Sequence, residues 1–199
     1  MPKVVDHAAR RAELAEALWR VALRDGFTAV TVRSVAQEAG WSAGALRHYF
    51  PDKAEMVLFA MDLVAQESAN RIQTVYAGMQ EATPEAIQEH LEQLLPLDAT
   101  RRIESEVWFA VVALAHSDER AAVRRTQIDG MIHDSVQSIV LALDGIGRLG
   151  KGREEAAETK RLHALLDGLV LQLLAEPPRL SVEEARGVVA RHLEDLRHP

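Results

Sequence analysis

Arg47, His48, Tyr49 and Lys53 set four hydrogen-bond donors within seven residues of one another. A guanidinium can bridge O6 and N7 of guanine or neutralise a phosphate, and the imidazole, phenol and ammonium can donate to phosphate oxygens. Immediately before them stand Ser42, Ala43, Gly44 and Ala45, small enough for a helix backbone to approach a groove closely. Thr31 and Arg33, one short segment upstream, complete the set of candidate DNA contacts. This is the chemistry of recognition rather than of bond cleavage. The chain has no cysteine and eight scattered histidines, with no HExxH and no Ser/His/Asp ordering. No catalytic residue, metal ligand or cofactor is therefore nominated, and the chain is read as a binding protein rather than an enzyme.

Two short helices must hold these donors on one side. Thr31 is a good N-cap, and VRSVAQEA after it places Val32, Val35, Ala36 and Ala39 on one face. Gly40 stops that helix by supplying a residue at positive φ. Ser42 caps a second helix, Ala43 to Tyr49, which Pro51 ends because the residue before proline is driven out of the α region. Leu46 is the apolar residue that ties the second helix to the first. Two helices joined by a tight Gly-containing turn form a helix-turn-helix, whose second helix lies in the major groove. A helical hairpin that merely packs would satisfy the same spacing.

The formal net charge of −7 is unevenly placed: residues 1–53 carry +2 and residues 54–199 carry −9. That is the sign expected if only the amino-terminal part meets phosphate. Hydrophobic content of 48% permits a substantial core, and no apolar run reaches the ~20 residues that cross a bilayer. With no apolar signal core near the start, a cytoplasmic protein without membrane contact is predicted.

The run AGWSAGALRHYFPDK, Ala39 to Lys53, resembles the signature of the TetR family of transcriptional regulators. Gly26-Phe27-Thr28 and Thr31-Val32 stand where that family has a glycine, an aromatic residue and a capping threonine. Trp41 departs from the pattern, which usually has a smaller aliphatic residue there, and Arg47 replaces a common tyrosine. The dense match covers the first quarter of the chain. It implies an all-α, homodimeric regulator of transcription, read here as a repressor. Such a protein binds a palindromic operator in double-stranded DNA and is released by a small-molecule effector.

The remaining periodicity fits that expectation. Helices are predicted over Asp6–Arg24 before the reader, and over Lys53–Met79, from Thr83-Pro84 to Pro96, Thr100–Ala115, Glu119–Leu143, Arg153–Ala175 and Ser181–Leu196 after it. The chain divides into a helix-turn-helix domain, 1–52, and a helical effector-binding and dimerisation domain, 53–199, with about nine helices and no strand. The Arg153–Ala175 helix is apolar nearly all round and so needs cover on every side. Leu162, Leu166, Leu169, Val170 and Leu173, with Val189 and Leu193 of the last helix, are assigned to a dimer interface built as a four-helix bundle. The segment Leu165 to Gln172 is similar to one in the choline-responsive betaine regulators of the family.

For the effector pocket, Glu104 and Trp108 lie one turn apart, a carboxylate beside an indole suited to a cation. His133 and Gln137 share another face, and Tyr76, Phe109 and Met131 join them as lining candidates. Gly145, Gly147 and Gly150 fit GxGxxG, which opens an alternative: a helical nucleotide-binding protein or enzyme using the Gly145–Gly152 loop. That fingerprint needs a preceding strand, and a long helical pattern precedes it here.

Overall fold

A computed structural model describes residues 7–78 and 83–199. Among them are nine α-helices and no strand: α1 (His7–Asp25), α2 (Val32–Ala39), α3 (Ala43–Arg47), α4 (Lys53–Gly78), α5 (Pro84–Glu92), α6 (Ala99–Leu114), α7 (Glu119–Gly145), α8 (Glu155–Leu174) and α9 (Val182–Asp195). A single 3-10 turn, Phe27–Ala29, follows α1. The all-α expectation is met.

Short polar side chains start these helices by taking up amide groups that have no intrahelical partner. The Ser34 N–H donates to Thr31 Oγ1 at 3.1 Å, and the Thr31 N–H donates to Ser34 Oγ at 2.9 Å, a reciprocal box. Ser42 receives Ala45 N–H, Asp52 receives Glu55 N–H, and Thr83 receives Ala86 N–H. Ser181 and Glu184 form a second box at α9. Gly40 ends α2 at φ +70°, a left-handed conformation that glycine adopts without a Cβ clash. The helix α3 is shorter than the predicted Ala43–Tyr49. It closes at Arg47, and His48 and Tyr49 lie in a turn from which Tyr49 N–H and Phe50 N–H both return to Leu46 O at 2.9 Å.

The chain forms two compact units. The first takes residues up to Ala65 together with Glu106–Arg124, and the second takes Gln66–Ser105 with Arg125–Pro199. The first unit therefore includes the start of α4 and parts of α6 and α7 in addition to residues 1–52. Its core holds Leu14, Leu18, Val35, Leu46 and Phe50, with Phe50 and Phe59 rings 5.0 Å apart. Polar ties brace it. Glu38 on α2 accepts from Arg24 at 2.8 Å and Arg20 at 2.9 Å on α1, which holds its carboxyl below the usual carboxylate range. Glu106 on α6 accepts the Phe27 N–H at 3.0 Å. Arg120 on α7 pairs with Asp118, Glu55 and Asp52.

In the second unit, Leu91, Val136, Val140, Leu143, Leu162 and Val189 are fully buried. Arg102 of α6 donates to Leu173 O at 3.0 Å and pairs with Glu176, so a cation sits at the carboxy-terminal end of α8, where the helix dipole favours it. The Gly145–Gly152 loop is packed onto the end of α9: Gly150 N–H donates to Leu196 O at 2.8 Å, and Arg153 donates to Asp195 O and His198 O. It follows a helix, α7, and so lacks the strand a dinucleotide fingerprint requires.

Candidate nucleic-acid interface

The reader surface is built by contrast within five residues. Leu46 is wholly buried and pins α3 against Val35 and Ala36, which are buried on α2. With Leu46 facing in, Ser42, Ala43, Gly44, Ala45, Arg47 and His48 are all exposed. Nothing but the Ser42 hydroxyl, at 3.9 Å, comes near the position a Cβ on Gly44 would take, so the backbone there is open to approach. Thr31, Arg33 and Lys53 are exposed as well, and Tyr49 is half-buried. All ten residues nominated from the sequence thus lie in one compact unit, nine of them open to solvent. The arrangement offers a small, close-approaching helix face flanked by guanidinium, imidazole and phenol donors.

Sequence reasoning missed what holds this surface. The indole N–H of Trp41 donates to Glu13 Oε1 on α1 at 3.0 Å. The Arg10 guanidinium lies 5.0 Å from the Trp41 ring centroid and pairs with Glu13 at 2.8 Å. Tyr49 meets the same ring edge-on, with centroids 5.5 Å apart. Arg11 lies over the Phe59 ring at 4.9 Å. The one local signal was Glu13 three residues after Arg10; Trp41 lies too far along the chain for any periodicity to link it.

The effector candidates are divided between the two units. Glu104, buried on α6 in the second unit, receives Arg71 Nη1 and Nη2 at 2.9 and 2.6 Å, with Ser68 Oγ at 3.3 Å. Its charge is already matched inside the unit. Trp108 and Phe109 are half-buried and belong to the first unit. His133 is half-buried beside His163, ring centroids 5.9 Å apart, whereas Met131 and Gln137 are exposed. The Tyr76 side chain lies outside the described residues.

Of the dimer candidates, Leu162, Leu166, Leu169, Val170, Leu173, Val189 and Leu193 are all buried within the single chain. An all-round apolar helix shows that every side is covered, but not which side the chain itself covers. Leu171, 57% exposed, and Val188, 37% exposed, are the large apolar residues these helices leave open. Beside Val188 runs an open groove of about 540 Å³, lined by Leu165, Leu180, Gly187 and Arg191 among others.

Among the described residues, no group of three or more acidic, histidine or cysteine side chains is placed to hold a metal, and no helix is long and apolar enough to cross a membrane.

Comparison with known proteins supplies the identity. Residues 14–59 match the family of bacterial regulatory proteins of tetR type, and residues 84–198 match the carboxy-terminal region of BetI-type transcriptional repressors. The chain is 34% identical over 197 residues to the HTH-type transcriptional regulator PksA of Bacillus subtilis, covering 98% of this chain and 94% of that one. It is 31% identical over 186 residues to the HTH-type transcriptional repressor Rv1474c of Mycobacterium tuberculosis, covering 84% and 95%. A regulator from Saccharomonospora viridis, solved in complex with choline, has the same fold: TM-score 0.82 at 22% identity, covering 94% and 96%. With both halves of the reading surface and its helical carrier matched, the chain belongs to the TetR family of DNA-binding transcriptional regulators, with a carboxy-terminal region of the BetI type.

Proposed function

We propose that this regulator represses transcription as a homodimer that reads a palindromic operator through α3, one half-site per subunit. The exposed face of Ser42–Arg47 above a buried Leu46 carries the reading. Arg47 addresses a base edge or phosphate; Thr31, Arg33, His48, Tyr49 and Lys53 address phosphates and fix the register. The subunits pair through the outer faces of α8 and α9, around Leu171, Val188 and the neighbouring groove. That choice is supported by the apolar area those residues leave in water. Two reading helices then fall on successive major grooves, ~34 Å apart. The protein acts in the cytoplasm, where its operator is.

A small molecule held by the second unit releases the operator by favouring a spacing of the reading helices that no longer fits. It must bind the two spacings with different affinity. The helices α4, α6 and α7 each contribute to both units and are the route for that coupling. A cationic effector seated on Glu104 would have to displace Arg71. Choline, the ligand of the Saccharomonospora neighbour, is the first compound to try.

The test is selection of genomic fragments on the full-length protein under a salt titration. Recovery of a palindrome, bound with a log–log salt slope of several units, is the expected result. Retention of no sequence above background, with and without metabolite extract, would refute the reading.

A further inference from the structure

We infer that Trp41 is a positioning residue for operator binding: its indole ties α1 to the turn before the reader helix and sets the pose of Tyr49 and Arg10. The inference rests on α3 being the DNA reader.

Four contacts converge on this side chain and its backbone. The Trp41 N–H donates to Ala36 O at 2.8 Å, which closes α2 behind Gly40. The indole N–H donates to one oxygen of Glu13 at 3.0 Å, and the other oxygen accepts from Arg10 Nη1 at 2.8 Å. The Arg10 guanidinium is 5.0 Å from the ring centroid, and Tyr49 approaches with its ring inclined by 67°. Anion, cation and phenol are thus arranged around one indole, from α1 on one side and the segment after α3 on the other.

A leucine or valine at position 41 could neither donate to Glu13 nor offer a π system. Edge-to-face contact fixes the plane of the partner ring. A tyrosine ring has two torsions, so fixing its plane fixes the direction of its hydroxyl, the atom that would meet a phosphate. A cation over an indole face is likewise held in place rather than free to sample. Glu13 would repel a nearby phosphate if its charge stood alone. The indole N–H, followed by Arg10, holds its carboxyl below the usual carboxylate range, so the negative charge is engaged within the bracket.

The experiment uses the full-length protein and a labelled duplex carrying the selected palindrome. Trp41→Leu is expected to weaken binding tenfold or more, ~1.4 kcal/mol. Trp41→Phe, which keeps a ring but no N–H, should fall between. Tyr49→Phe should cost several-fold in the natural background and less than twofold further in the Trp41→Leu background. Equal Tyr49→Phe factors in both backgrounds overturn the inference. Should Trp41→Leu fail to fold, the natural protein still decides. In nitrogen-15 indole spectra, the resonance lost in Trp41→Phe must titrate with Glu13, at a midpoint below that of an ordinary carboxylate, and stop titrating in Glu13→Gln. A flat Trp41 resonance overturns the bracket. Arg47→Ala separates the two levels. If it weakens binding while the Tyr49 factors stay equal, only the Trp41 inference fails. If Arg47→Ala and Tyr49→Phe both leave binding unchanged, α3 is not the reader and both fail.

Discussion

Gly150→Ala should destabilise this protein, against the usual sign of the substitution. Where the backbone is not at positive φ, replacing glycine by alanine ordinarily stabilises by ~0.4–1 kcal/mol, through the unfolded chain. Gly150 is not among the residues at positive φ, so strain in its own torsions is not the issue. Its surroundings are. A Cβ there would stand 2.6 Å from His198 O, 2.7 Å from His198 C and 3.1 Å from Arg197 O, all backbone atoms. The end of α9 cannot simply swing aside, since Arg153 donates to His198 O at 2.7 Å and Gly150 N–H holds Leu196 O. Overpacking of this kind costs ~1–3 kcal/mol, and stretching the Gly150 hydrogen bond adds to it. At ~2–4 °C per kcal/mol for a chain of this size, the thermal midpoint should fall by several degrees. Gly130→Ala is the control. It lies within α7 with nothing near its virtual Cβ, and should raise stability by up to ~1 kcal/mol from helix propensity. Both are read by thermal and urea denaturation at one fixed protein concentration, because the proposed dimerisation would make the midpoint concentration-dependent. A Gly150→Ala midpoint that rises alongside that of Gly130→Ala would refute the close approach. The same experiment addresses the nucleotide reading of the loop: ATP should leave the natural midpoint unmoved.

The other predictions probe the reader, the partner face and the response to acid. Arg47→Ala should weaken operator binding by ~1–3 kcal/mol if the guanidinium reads guanine, and lower the salt slope by about one if it meets phosphate; fluorescence anisotropy at several salt concentrations distinguishes them, and no change in either removes Arg47 from the contacts. Leu171→Glu should halve the mass seen in sedimentation while far-ultraviolet dichroism stays native; an unchanged mass would place the dimer face elsewhere. Stability should decline in two steps on acidification. Burial pushes the His90 and His192 imidazoles down, so below pH ~6.5 the unfolded chain binds protons that the folded chain refuses, and stability falls. The Arg120 guanidinium holds Asp118 down to about 2, and Glu38 is lowered by Arg24 and Arg20, so their stabilisation is present above pH ~4 and lost as pH falls toward 2. A thermal midpoint flat from pH 7.5 to 5.5 would contradict the first step.

What the sequence disclosed follows the range of the interactions. Caps act over three residues, so Thr31 and Ser42 could be named from their neighbours, and each accepts the expected amide. The reader face is also local. One buried leucine in a run of small and polar residues determines which side of α3 is open, and all ten nominated contacts fall in one unit. Interactions across tens of residues left no such trace. Glu104 meets Arg71 from 33 positions away, and Trp41 meets Glu13 from 28. No pattern of spacing could separate a carboxylate awaiting a ligand from one already paired.

The rotation of α8 shows the same limit in its sharpest form. Leucine and valine crowd every side of this helix, so periodicity gives its cover but no phase. Leu169 and Leu171 are two residues apart, about 200° around the axis. One is buried at 2% exposure by its own chain, while the other stands 57% exposed. Only the packing partner decides between them, and here that partner is set by the remainder of the second unit. With Leu169 inward and Leu171 outward, the proposed dimer would have only the narrower outer face of α8, together with the exposed Val188 of α9. A substitution scan should therefore split by phase rather than by hydrophobicity. Leu169→Ala should cost ~2–5 kcal/mol of fold stability, as other buried leucines do. Leu171→Ala should loosen the dimer with little effect on the chain's own packing. Equal losses of fold stability at both positions would mean that α8 has no free side, and that the subunits meet through another surface.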